Sequence, residues 1–430
     1  MSETLFPVGG ETRLSTPDSD PTASGGQSVT STSRTSQTRP LLIIAIILTA
    51  ANLRPTITGV GPLIAAIAHG TGLPIALSGM VTTLPLVAFG LISPIAPKIA
   101  QRVGIERSLL FGLAIMALGT LLRSQGSAAA LLCGMALLGS GVAIANVLLP
   151  SLVKRDFPTQ IGVMTGTYVT VMNVFAGLGS GLSVPLAHVA HWGWRGSLLI
   201  WLVLILLGLA AWAFLLTPHA RSSGLTERGF WRSSIAWQIT LFMGFQSLLF
   251  YVSIAWLPTL LHDRGLSLAL SGWLVFLMQM VSLPATFVMP IWATRRRTQH
   301  HLVLAVAASF VLGYMGLLLT RGEVWSIISL MLVGLGAGAS ISLALAFFSL
   351  RTHHHQNAGQ ISGMAQSVGY LLAAVGPITV GYLYAATGTW SDPLLLLVVV
   401  SILMTLAGLG AARDVFIDDD SQNVEMKSPS

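Results

Sequence analysis

Charge is what this sequence has least of. Only 9% of its 430 residues are charged against 53% hydrophobic, and the mean hydropathy is +0.77. A water-soluble domain carries roughly a quarter charged residues, so this composition excludes one and points to a chain whose solvent is lipid. Cysteine is nearly missing as well. The single one, Cys133, lies in an apolar run, which excludes a disulfide framework and a cysteine-based metal site. No phosphate-binding loop with its lysine occurs, so the glycines are not a nucleotide site. Inside the apolar runs there is no acid: all fifteen Asp and Glu fall in tails or predicted connections.

What is there is a series of long apolar runs. Twelve are long enough to cross a bilayer as helices, at about 41–67, 75–97, 107–123, 128–151, 160–187, 196–217, 235–261, 267–292, 302–320, 324–350, 361–386 and 394–412. The net charge of +7 and the pI near 10.1 could suggest nucleic acid, but the basic residues are scattered in short connections. With both tails on the cytoplasmic side, seventeen of the 22 Lys and Arg fall inside. Four (Arg123, Arg195, Arg264, Arg321) fall outside, and Arg54 alone lies within a run. That is the positive-inside pattern for an even number of spans.

Residues 1–40 include sixteen Ser or Thr and no repeating apolar pattern. They are predicted to be a disordered cytoplasmic tail, not a signal peptide, because the first apolar run starts late and no cleavage pattern follows it. The predicted organisation continues with a six-helix half at 41–217, a polar cytoplasmic linker at 218–234, a second six-helix half at 235–412 and a polar tail at 413–430.

The two halves repeat. "ALSG" at 76–79 recurs at 269–272, "GSG" at 139–141 answers "GAG" at 336–338, and Lys154 falls opposite Arg351. Gly162, Gly166, Ala176 and Gly179 correspond to Gly359, Gly363, Ala373 and Gly376, all at offsets of 193 to 197 residues. Two six-helix units of the same orientation form a parallel repeat about an axis along the membrane normal. Gly139, Gly141, Gly179, Gly181, Gly336 and Gly338 read as close-packing positions, because small residues let helix backbones approach.

This architecture resembles the major facilitator superfamily. The connection "PKIAQRVGIERSL" is similar to that family's cytoplasmic motif, with Arg102, Gly104 and Arg107 as candidate gating residues. Gln101 stands where the motif has Asp, which puts a carboxylate latch in doubt. Within the superfamily the segments "NLRPTITGVGPL", "NVLLPSLVKRDFP", "GLSVPLA" with "GWR", "FQSLLFYVSIAWLP" and "SGMAQSVGYLLAAVGP" resemble the cyanate and nitroimidazole permeases, over about residues 41 to 412. The resemblance implies an all-α integral membrane fold, a secondary transporter working by alternating access, and a small polar or anionic solute. It also implies that spans 1, 4, 7 and 10, with 2, 5, 8 and 11, surround a central cavity.

Arg54 is the residue that asks for an explanation. An arginine at membrane depth is costly and is expected to face the bundle interior or an aqueous cavity. No carboxylate shares its depth, so either backbone carbonyls hold it or an anionic ligand does. The planar guanidinium suits small oxyanions or cyanate-like groups. Thr58, at i+4, shares its face, whereas Asn52 does not. Asn146, Asn173, Gln246, Tyr251, Gln279, Gln366 and Tyr370 are the other candidate contacts, with Gln246 and Gln366 preferred and interhelical glue the competing role for each. The histidines, His353–His355 included, fall outside the predicted spans and read as solvated.

Without a titratable acid or histidine at membrane depth, movement of the solute is expected not to need a protonatable membrane carboxylate. The expected function is uptake or release of a small polar or anionic, cyanate-like solute across the plasma membrane. Efflux of a small neutral heteroaromatic such as a nitroimidazole is the alternative. No cofactor, metal or nucleic-acid partner is expected. A functional monomer in contact with lipid and a small-molecule substrate is expected, and an enzyme is not.

Overall fold

The computed structural model describes residues 38–73, 80–188, 192–216 and 230–417. The rest of the two tails, residues 218–229 of the linker, the "ALSG" at 76–79 and His191 lie outside the described residues. Within them every regular element is helical. In hydrocarbon each backbone donor must find an acceptor in the same segment, which only a helix or a closed barrel provides.

Twelve spans result. They run Arg39–Leu63, the bent pair Thr83–Ile92 and Ala96–Val103, Ile105–Arg123, Ala128–Asp156, Ile161–Ala187, Gly193–Phe214, Ser234–Asp263, Leu270–Thr294, His300–Leu319, Glu323–Leu350, His355–Thr387 and Ser391–Ala411. We number them span 1 to span 12. Spans 4, 7 and 8 start at serines whose hydroxyls accept the exposed amide of the third helical residue: Ser127 from Ala130, Ser233 from Ala236 and Ser267 from Leu270. Span 11 begins six residues before its expected start, because the polar first turn His355–Gln360 continues the helix beyond the apolar run.

Two breaks were invisible to hydropathy. Span 2 turns through 53° between Ile92 and Ala96, and Pro97 stands at the start of its second piece. Span 1 stops at Asn52 and restarts as a short turn Pro55–Thr58, followed by a 3-10 turn Gly61–Leu63. Pro55 has no N–H to offer the Ala51 carbonyl, so the ladder fails at that point.

The two halves meet most closely toward the end of the bundle that carries the chain termini. There Gly162 lies against Pro290, and Gly363 lies against Pro97 and the Ser93 carbonyl. Ser151 donates to the His355 carbonyl at 2.6 Å and Ser349 to the Pro150 carbonyl at 3.3 Å. Lys154 donates to the Ser349 carbonyl at 2.5 Å and also to that of Thr352, so a cation from span 4 caps the carbonyl end of span 10. Its repeat counterpart Arg351 stays within its own half, bonding the Ala411 and Ala412 carbonyls at 3.0 Å and Gln299.

Close-packing glycines also join helices within the N-terminal half. A methyl group on Gly139 would lie 2.6 Å from Pro85 Cα, and one on Gly179 equally near Pro55 Cα. Gly181 is a correction: nothing lies within 4 Å of its missing side chain, and it faces a cavity.

Candidate functional site

The break in span 1 sets the site. Leu53 and Arg54 form the gap between two helical pieces, and Arg54, at φ −119° and ψ −39° in the right-handed region, is the N-cap of the second piece. The guanidinium lies over the Phe250 ring of span 7, 4.9 Å from its centre, a cation–π contact between the two halves. Among the described residues it has no carboxylate or hydrogen-bond partner. Glu106 opens span 3 and Asp156 closes span 4, so both sit at helix ends.

Arg54 lines a cavity of about 910 Å³ between the halves. Its walls come from the portions of spans 1, 2, 4, 5, 7, 8 and 11 that lie at the middle and away from the termini. Trp273 and Ile378 on the wall are 68% and 70% exposed, whereas Asn146 and Tyr370 at the base are 5% and 4%. The cavity therefore opens away from the termini and is closed toward them. A recess of about 20 Å³, room for one water-sized group, adjoins it and shares Arg54, Phe250, Tyr251, Gln279 and Tyr370 with it.

The expected contact residues divide into three sets. Arg54, Tyr251 and Gln279 line both spaces, and the Tyr251 hydroxyl and Gln279 amide have no hydrogen-bond partner among the described residues. Asn146, Thr58 and Tyr370 line the cavity but are already engaged. Asn146 donates to Gln366 Oε1 at 2.6 Å and to the Tyr370 hydroxyl at 3.3 Å, and Thr58 donates to the Ala176 carbonyl at 2.9 Å. Asn173 and Gln246 line only the recess; Asn173 donates to Thr286 at 3.4 Å, and Gln246 to Ser247 at 2.7 Å.

Gln366, a preferred contact on sequence, is fully buried and absent from the lining of either space. It bonds the Asn146 carbonyl and Ser362, so it joins spans 4 and 11. Asn52 is off the Arg54 face, as its helix position requires, and donates to the Leu204 carbonyl of span 6.

The aromatic lining escaped a search for polar groups. Phe89 lies 4.5 Å from Tyr370, Tyr370 is 6.3 Å from Tyr251, and Tyr251 is 5.3 Å from Phe250, under Arg54. Trp273 and Phe276 pair edge-on at 5.6 Å on the opposite wall. In spans that are apolar throughout, a ring carries no contrast; only its place beside Tyr251 in "LLFYVS" could have marked Phe250.

In the connection between spans 2 and 3, Gln101 stands where the motif has Asp, and the following carboxylate, Glu106, pairs with Arg155 of span 4. Gly104 turns the connection with φ +95°, a conformation that favours glycine, and Arg102 and Arg107 are exposed. The ion pair of this region lies inside one half: Arg155 bridges Glu106 at 2.7 Å and Asp156 at 2.8 Å. His353 stacks on Phe416, 4.0 Å between centres, and no metal-holding group of His, Cys, Asp or Glu occurs among the described residues.

A helical bundle of twelve spans closed at one end over a central cavity is the form of a membrane carrier. The model of the Major Facilitator Superfamily matches residues 41–377, and the chain belongs to that family. It is a multi-pass membrane transporter, not an enzyme. An uncharacterized transporter, YycB, of Bacillus subtilis (strain 168) is 47% identical over 379 residues, 87% of this chain and 94% of that one. The 2-nitroimidazole transporter of Escherichia coli (strain K12) is 42% identical, covering 89% and 98%. The cyanate transport protein CynX of the same organism is 26% identical, covering 81% and 91%. Among solved structures, the proton:xylose symporter XylE aligns with a TM-score of 0.73 at 11% identity, covering 89% of this chain and 98% of that one; at that identity it bears on the fold alone.

Proposed function

We propose that this carrier moves a small solute with a delocalised negative charge or an electron-rich oxygen pair, and that Arg54 is the group that meets it. The observation that carries this is an arginine at membrane depth, open to a cavity, with no carboxylate partner among the described residues. Leaving such a cation without a counter-charge is costly in a low-dielectric site, and a solute is the partner the fold leaves room for. Tyr251 and Gln279 supply the hydrogen bonds, and Asn173 and Gln246 stand behind them at the recess.

Size and lining favour a ring-bearing solute over a bare triatomic ion. The cavity lies at the upper end of the range for ligand pockets, and rings occupy much of its wall. Burial of a planar ring against Phe250, Tyr251 and Tyr370 adds apolar contact that a cyanate-like ion lacks. The name of the 42% identical relative agrees with this. A bare cyanate-like anion is the second reading; the recess of about 20 Å³ beside Arg54 favours it, since only a very small group fits there.

Transport proceeds by alternating access. The state described here is open away from the termini. Release on the other side requires the bonds of Lys154, Ser151 and Asn146 across the halves to part. The distribution of Lys and Arg supports termini on the cytoplasmic side of the plasma membrane, so this state faces outward, and a monomer holds the complete cavity. The test is uptake into liposomes of 2-nitroimidazole, benzoate and cyanate by the purified protein. Substrate-dependent uptake that disappears in Arg54→Ala supports the reading. Undiminished transport by that variant overturns it.

A further inference from the structure

Arg123 closes span 3 and was expected among the outer connections. It is instead fully buried. Its Nη1 donates to the Thr56 carbonyl, its Nη2 donates to the Leu198 carbonyl at 3.0 Å, and the Met135 sulfur lies 3.8 Å away. Its Nε has no partner, and no carboxylate among the described residues neutralises it.

Both carbonyls belong to interrupted helices. Val60 N–H, which would bond Thr56 in a regular helix, bonds Ile57 instead, so the end of the short turn Pro55–Thr58 frees the Thr56 carbonyl. Leu198 lies in the last turn of the piece Gly193–Leu199, two residues before the helical pieces of span 6 meet at Ile200. Thr56 is two positions from Arg54, about 200° round the helix, and is absent from the cavity wall that Arg54 lines. One guanidinium therefore grips span 1 from behind, directly after the gap from which Arg54 reaches forward. A buried carbonyl without a donor is costly, so the donor from Arg123 holds the short turn Pro55–Thr58 where it is.

We propose that Arg123 is a positioning residue: by bonding the Thr56 and Leu198 carbonyls it fixes the short turn Pro55–Thr58 against span 6, directly after the gap, and so keeps the residue-54 side chain in the cavity. This rests on Arg54 being the substrate contact, but the position of residue 54 can be measured with no substrate.

With Cys133→Ser removing the native thiol, Arg54→Cys and Ile378→Cys are made separately, and each is labelled with a charged, water-soluble methanethiosulfonate. Both positions line the cavity, one beside the break and one on the opposite half. Adding Arg123→Met is expected to slow labelling at position 54 by about tenfold or more, since displacements of an ångström change reactivity on that scale, and to leave position 378 unchanged. Arg123→Lys retains a donor and restores part of the rate at 54. Unchanged labelling at 54, or an equal change at both positions, overturns the proposal. Should Arg123→Met not yield folded protein, Arg123→Lys carries the test: its selective slowing at 54 supports the proposal, and wild-type rates at both positions refute it. Failure of the Arg54 reading shows separately, as undiminished uptake by Arg54→Ala.

Discussion

Asn146 of span 4 and Gln366 of span 11 are bound to each other twice across the two halves. The Asn146 amide donates to Gln366 Oε1 at 2.6 Å, and the Gln366 amide returns a bond to the Asn146 carbonyl at 3.3 Å. Both side chains are buried at the base of the cavity, where the space ends and the closed portion toward the termini begins. A pair placed there must separate whenever the carrier opens to the other side. Interhelical hydrogen bonds of this kind are worth about 0.6–2 kcal/mol. Gln366→Leu is therefore expected to shift the population away from the state described here by roughly threefold to thirtyfold. Cysteine accessibility at Ile378 in a Cys133→Ser background measures this and is expected to fall. Unaltered accessibility would show that the pair is no part of the closure.

Arg54 gives the sharpest functional expectation. Hydrogen bonds to a charged partner contribute about 1.5–3 kcal/mol, and the bidentate fork is what lysine lacks. Arg54→Lys should raise the KM for a transported anion by about tenfold to a hundredfold, and Arg54→Ala should raise it further. Thermal stability should be retained in both, because the side chain contacts only the Phe250 ring and an open cavity. The measurement is concentration-dependent uptake beside a melting curve. Equal losses in both would assign Arg54 to the fold instead of to the solute.

How much of this was legible beforehand follows from what each signal depends on. Span count, the close packing at Gly139 and Gly179 and the isolation of Arg54 are composition arguments, and they need no three-dimensional partner. Arg123 was misread because a basic residue at the end of an apolar run looks like orientation charge; that it turns inward depends on carbonyls 67 and 75 residues away. Gln366 was expected to face the cavity and is instead bonded to Asn146, for a similar reason. A polar side chain in a span must find a partner, but whether that partner is a solute or Asn146 is decided by the neighbouring helix. The aromatic wall was hidden because rings are ordinary in lipid-facing sequence.

Two glycines of span 5, two residues apart and so on opposite faces of the helix, should respond in opposite ways. A side chain on Gly179 meets the rigid Pro55 backbone at 2.6 Å, beside the break. Gly179→Val is expected to cost about 1–3 kcal/mol through overpacking, read as a lower melting temperature and less folded protein. Gly181 has open space in front of it and lines the cavity, so Gly181→Val should fold normally and alter only transport of the larger probes. If both variants fold equally well, the packing of span 5 on the break is not as close as described.

Proton coupling is the last point the site decides. Among the described residues Asp and Glu occupy helix ends, and the cavity wall contains no acid and no histidine. Histidine is the side chain whose ordinary titration falls near neutrality, and a relay at membrane depth uses it or a raised carboxylate. Uptake of a probe whose own protonation does not change between about pH 6 and about pH 8 should therefore be flat within about twofold across that range. An imposed proton gradient should not concentrate such a probe inside liposomes. Exchange against internal solute should proceed in its absence. Accumulation that follows the gradient and collapses with a protonophore would require a titrating group in the transport path, and the wall around Arg54 offers none.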